Sequence, residues 1–150
     1  MADQTLKQTL SDAMKTAMRA KDKARLSAVR LILADIKRIE VDERIDVDDA
    51  RVLAVLDKML KQRRDSISQY DSAGRVDLAD QERFEMDVIQ SFLPTPLSDA
   101  ELDALISAAI ASTGADSIKN MGQVVAILKP QVQGRADMGM VSQKVKSQLQ

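Results

Sequence analysis

Turn-forming residues are scarce in this chain, and that scarcity constrains its fold more than any other feature. Five glycines and three prolines serve 150 residues. Such a chain favours a few long elements over the many short, turn-bounded strands of a sandwich or barrel. Aromatic residues are limited to Tyr70, Phe84 and Phe92, with no Trp. The core must therefore be built from Leu, Ile, Val, Met and Ala, which, apart from the β-branched members, are good helix formers. The expectation is an all-α protein.

Helical spacing of apolar residues divides the chain into segments. Leu6, Leu10, Met14 and Met18 recur every fourth residue in a first helix over about 3–20. Asp22 is an N-cap candidate for the second helix. Its apolar positions are Leu26, Val29, Leu33 and Ile36, with Ile32 and Ile39 widening the stripe. A third helix starts near Asp48 or Asp49 and carries Val52, Leu56, Met59, Arg63, Ile67 and Tyr70 along one side. Gly74 can close it in the left-handed conformation. A fourth covers about 76–92, with Phe84, Val88 and Phe92 one turn apart.

Leu93-Pro94-Thr95-Pro96-Leu97 cannot continue a helix. This places a boundary between a four-helix domain over 1–93 and a three-helix domain over 98–150, joined by a proline-containing linker. Ser98-Asp99-Ala100-Glu101 reads as a capping box. The fifth helix turns Leu102, Leu105, Ile106 and Ala109 inward and ends at Gly114. Asn120 is the expected cap of the sixth, with Met121, Val124, Val125 and Leu128 inward, and Pro130 is expected to kink or end it. Gly134 permits a turn. Asp137 then caps a last helix with Val141, Val145 and Leu149 on one face.

The chain holds neither cysteine nor histidine. Disulfides, thiolate catalysis, Ser-His-Asp and Cys-His pairs, and His- or Cys-bearing metal sites are excluded. No glycine-rich nucleotide loop is present. Glu82, Glu85 and Asp87 are close in sequence, but helical spacing assigns them to a solvated face. No catalytic residue, metal site or cofactor is expected. The first fifteen residues lack the apolar run of a secretory signal, and no apolar run approaches bilayer-spanning length. The expected location is the cytosol, away from membranes.

Net charge is −1, which conceals an uneven distribution. Residues 1–34 carry seven basic and three acidic side chains, and residues 117–150 carry five basic and one acidic. In the tail, Gly134 and Arg135 make a turn, Asp137 opens the next helix, and Gly139 lies inside its first turn. A helix N-terminus with free N–H groups suits a phosphate, and Lys129, Arg135 and Lys144 could surround it. Equally, the glycines could serve the turn and Asp137 the cap. Arg63 and Arg64, mid-helix beside Asp65, could pair with acids or form a second basic surface.

Several stretches resemble the YqeY family and the related tail of the B subunit of the glutamine-dependent tRNA amidotransferase. They are Arg30-Leu31-Ile32-Leu33-Ala34-Asp35-Ile36-Lys37, Lys61-Gln62-Arg63-Arg64-Asp65, Phe92-Leu93-Pro94, Met121-Gly122-Gln123-Val124-Val125, Gly134-Arg135-Ala136-Asp137 and Val141-Ser142-Gln143-Lys144-Val145. The resemblance covers essentially the whole chain. It implies a four-helix bundle followed by a three-helix bundle, and a tail that reaches tRNA; the candidate RNA-binding residues in that tail are Lys129, Gly134, Arg135, Gly139 and Lys144. Gln131 and Met140 stand where lysines are common in the family, so phosphate contacts should be fewer and salt dependence weaker. The implied roles are a tRNA-binding accessory module or a component of carbon–nitrogen ligase chemistry with glutamine as amido donor; the near-neutral charge and the several methionines, which suit adaptable helix-groove contacts, offer a protein–protein adaptor as the alternative.

Overall fold

The computed structural model describes residues 4–150. Its described residues form α1 (Leu6–Arg19), α2 (Lys23–Glu43), α3 (Asp49–Ser72), α4 (Val76–Gln90), α5 (Asp99–Thr113), a 3-10 turn (Ile118–Asn120), α6 (Met121–Val132) and α7 (Met138–Leu149), with no strand. The expected helix start at residue 3 lies outside the described residues. Contacts divide the chain into two compact units, one reaching Leu93 and the other beginning at Pro94.

Local chemistry sets most helix boundaries in the first unit. Thr5 and Gln8 form a reciprocal capping box at the start of α1. Asp22 caps α2 by accepting from the Arg25 backbone N–H at 3.1 Å, and Asp48 caps α3 by accepting from Arg51 at 2.9 Å. Both α1 and α3 end in the same doubly hydrogen-bonded motif. After α1, the Lys21 N–H donates to the Met18 carbonyl and that of Asp22 to Ala17. After α3, the Gly74 N–H donates to Asp71 and that of Arg75 to Tyr70. The left-handed residue is Lys21 (φ 57) in one and Gly74 (φ 73) in the other.

In this unit α1 packs on α2 and α3 packs on α4. Leu10, Ile32, Ile36, Val52, Leu56, Met59, Leu60 and Ile89 form the main core, and Ala28, Val29 and Val88 form a smaller one. Burial of each large aliphatic side chain stabilises the fold by about 1.5–3 kcal/mol. Met18 is 49% exposed, and Ala17 takes the inward position instead. A strict four-residue spacing overshoots the 3.6-residue turn, so the apolar stripe drifts off the buried face by its fourth member. Phe84 likewise stays 41% exposed while Val88 and Ile89 are buried.

The second unit buries Leu102, Ile106, Ala109, Val124, Leu128, Val132, Val141, Val145 and Leu149. Ser98 and Glu101 form the expected capping box of α5, and Gly114 closes that helix at φ 68. Asn120 makes no side-chain cap bond to α6. Its Oδ1 lies instead within reach of the Asp116 N–H and the Ser117 hydroxyl, where a 3-10 turn leads into the helix. Pro130 does not end α6, which continues to Val132. A proline in the last turn removes a single helical N–H, and the chain leaves the helix two residues later.

Candidate nucleic-acid interface

The α6–α7 turn is a built feature. Gly134 is buried with φ 75, a region that suits glycine. The Arg135 and Ala136 N–H groups both donate to the Val132 carbonyl, at 2.8 and 3.0 Å. Arg135 then joins the turn to the segment ahead of α5. Its carbonyl accepts from the Leu97 N–H at 2.9 Å, and its Nε donates to the Thr95 carbonyl at 3.0 Å. The half-buried side chain borders a shallow cavity of about 370 Å³ shared with Leu97, Glu101, Ala104 and Leu105. Hydrogen bonds from Ser98 hold the Glu101 carboxyl below its usual range, and the Arg135 charge adds to the effect.

The other tail residues meet different fates. Lys129 is exposed in the last turn of α6, where a cation complements the helix dipole. Gly139 is exposed, and its N–H is 3.4 Å from Asp137 Oδ1. A Cβ at Gly139 would touch the Asp137 carboxylate only at an ordinary 3.6 Å. The first turn of α7 is therefore faced by a carboxylate of its own. Lys144 turns to α5, with Nζ 3.0 Å from Asp103 and 3.7 Å from Asp99. The hydrogen bond to Asp103 is the main cause of its raised pKa. Lys144 and Met140 border an open groove of about 420 Å³ between α5 and α7. Lys129, Gly134 and Arg135 thus belong to the end of α6 and its turn, while Lys144 is held by acids.

Arg63 and Arg64 also part company. Arg63 Nε lies 2.7 Å from Glu85 and 3.2 Å from Glu82, and all three side chains are at most 20% exposed. Two carboxylates thus converge on one guanidinium where helical spacing alone assigned a solvated face. Burial, then the Glu85 charge, pushes the Glu82 carboxyl above its ordinary value against the pull of Arg63. Arg64 is exposed. Among the described residues no three potential metal-ligating side chains come together. The basic 1–34 stretch places Lys15, Arg19, Lys21, Lys23 and Arg30 on the surface around the α1–α2 corner, which the charge count alone does not reveal.

Comparison with known proteins supplies the relationship. The family model described as "Yqey-like protein" matches residues 7–149. A protein of Pyrenophora tritici-repentis named "Altered inheritance of mitochondria protein 41, mitochondrial" is 29% identical over 88% of this chain and 74% of its own length. Proteins of the same name from Lachancea thermotolerans and Saccharomyces cerevisiae are 36% and 33% identical, over 65% and 63% of this chain. The chain spans 54% and 51% of those two relatives. Their names overturn the cytosolic expectation. That expectation rested on a missing apolar run, which tests for a secretory signal; a mitochondrial leader is amphipathic and Arg-rich instead. Among the described residues no helix is long and apolar enough to cross a membrane. From the family match over nearly its whole length, the chain belongs to the YqeY-like family.

Proposed function

We propose that this chain is an accessory module that binds tRNA, alone or within a tRNA-handling complex such as an amidotransferase, and carries out no chemistry itself. The observation that carries the reading is the α6–α7 turn. Glycine geometry and two hydrogen bonds to the 95–97 segment hold Arg135 in place, and Lys129 stands exposed on the helix leading into it. A held guanidinium loses less entropy on meeting a phosphate than a free one. The tail has no aromatic residue on which a base could stack, so recognition rests on phosphate and shape.

The test is filter binding of purified protein to unfractionated tRNA across a salt series. Binding should weaken as salt rises. Lys129→Ala, which removes an exposed cation, should lower the log–log salt slope by about 0.7–0.9. Arg135→Ala should weaken binding more, since it removes both a charge and the Thr95 tether. Binding that is absent at low salt, or that ignores both substitutions, would refute the reading. A stable protein partner recovered free of RNA would favour an adaptor role instead.

A further inference from the structure

Five arginines of the first unit are engaged with acids. Arg38 pairs with Asp35, Arg51 with Glu43, Arg63 with Glu82 and Glu85, Arg75 with Asp77, and Arg83 with Asp71 and Asp80; Lys7 likewise pairs with Glu40. The α1–α2 corner is different. Lys15, Arg19, Lys21, Lys23 and Arg30 are all exposed, and Arg25 is half-buried over the Phe92 ring at 5.6 Å. Among the described residues none of these six has a carboxylate in ion-pair range. One acid lies between them, Asp22, and its carboxylate caps α2.

This arrangement runs against local stability in three ways. Lys23 and Arg25 occupy the first turn of α2, which holds no acid, although the helix dipole there favours acids and disfavours cations. Lys21 takes the left-handed position, where glycine is the unstrained choice. The six cations also repel one another within sixteen residues of chain. Local rules broken together at one place mark a site kept for something other than folding.

The geometry fits a polyanion backbone. Lys15 and Arg19 are one turn apart on α1, about 6 Å along its axis, and Lys23 and Arg30 are two turns apart on α2, about 10 Å. The residues that close the corner, Arg19, Lys21 and Lys23, link the two pairs. Met18 is the one large apolar side chain exposed on α1, too little for a helix that lies in a lipid interface. No exposed aromatic lies among these residues to stack a base. The surface therefore reads phosphates and not sequence.

We infer that the α1–α2 corner, through Lys15, Arg19, Lys21, Lys23 and Arg30, is a phosphodiester-binding surface of this protein, separate from the α6–α7 turn, and that its ligand is the backbone of structured RNA. The choice of RNA rests on the tRNA reading above; the surface itself does not involve the tail. Each neutralised phosphate contributes about 0.7–0.9 to the salt slope, so the corner steepens the salt dependence beyond what the tail supplies.

The test is binding of the full chain to unfractionated tRNA at several salt concentrations. It compares the unmodified protein, the corner variant Lys15→Gln/Arg19→Gln/Lys23→Gln, and a control of equal charge change, Lys37→Gln/Lys58→Gln/Lys61→Gln, at three exposed lysines of α2 and α3. All substituted residues are on the surface, and circular dichroism checks helix content. The corner variant should bind about tenfold or more weakly at low salt, with its slope reduced by about 2; the control should stay near the unmodified protein. Equal weakening in both variants would reduce the effect to net charge and overturn the site. An unmodified protein that binds tRNA alongside an unaffected corner variant would overturn the corner alone. No tRNA binding by the unmodified protein would overturn the tRNA reading and this choice of ligand together. Corner-dependent binding to phosphatidylglycerol vesicles in place of tRNA would show a lipid surface and overturn the RNA assignment.

Discussion

The first unit contains two helical hairpins that turn by the same backbone device and use charge in opposite ways. At the α3–α4 corner the left-handed residue is Gly74, and the nearby arginines are tied to acids: Arg75 to Asp77, Arg83 to Asp71 and Asp80, Arg63 to Glu82 and Glu85. At the α1–α2 corner the equivalent residue is Lys21, and the surrounding cations lack acidic partners among the described residues. One corner is arranged for the fold and the other against it. Two turns with the same hydrogen bonds thus differ in what their side chains serve.

The largest effect should come from the engaged corner. Arg63→Met leaves Glu82 and Glu85 facing each other, half-buried, without their cation. The loss is about 2 kcal/mol, below the 3–5 kcal/mol of a fully buried pair because water still reaches the cluster. Thermal denaturation should show the melting point of the first unit falling by about 8–16 °C for a domain of this size. A change under two degrees would mean that the cluster contributes little to the fold.

Gly74→Ala ranks next. Nothing lies within 4 Å of the added Cβ, so the penalty is purely conformational, about 1 kcal/mol. Lys21→Gly is the mirror experiment. It should stabilise by about 0.5–1 kcal/mol, since glycine takes φ > 0 without strain but adds unfolded-state entropy. It should also weaken tRNA binding. Chemical denaturation and binding titration on the same variant check both signs. A Lys21→Gly protein that is less stable would break the comparison.

The smallest effect is a pH dependence. The Glu82 carboxyl is raised in the folded state, so the folded protein holds this proton more tightly than the unfolded chain does. The fold is penalised above the folded pKa, and the penalty is relieved as pH falls through it. Glu82→Gln should therefore raise the melting point most at neutral pH, with the advantage shrinking on mild acidification. Glu40 works the other way. The Lys7 hydrogen bond, helped by the Val47 N–H, lowers its carboxyl. That contribution persists above the ordinary Glu range, about 4.3, and is lost as pH falls through the lowered value. Melting curves of Glu40→Gln and Glu82→Gln against pH should diverge in opposite directions.

Helix existence was legible in the sequence because it depends on short-range chemistry. The Asp22 and Asp48 caps, the Ser98–Glu101 capping box and the Gly74 and Gly114 stops each lie within a few residues of what they satisfy. The features that escaped are of two kinds. Lys21 in the left-handed region has no sequence signature, because only a glycine or asparagine would announce it. The Arg63 cluster needs α3 and α4 packed together, since its partners are 19 and 22 residues away. The tail was legible as a turn with cations near it. That Lys144 would be held by Asp99 and Asp103, and Arg135 by Thr95, depends on the packing of α5 and on the segment before it. Spacing along one helix carries no information about either.

The Arg135 tether has a consequence for how occupancy of the turn is felt elsewhere in the second unit. The Nε N–H is committed to the Thr95 carbonyl, which leaves the outer guanidinium nitrogens to meet an anion. An anion bound there favours the tethered arginine over a released one, and by linkage the tether favours the anion by the same factor. Order of the chain between 94 and 97 and anion affinity at the turn are then two readings of one equilibrium.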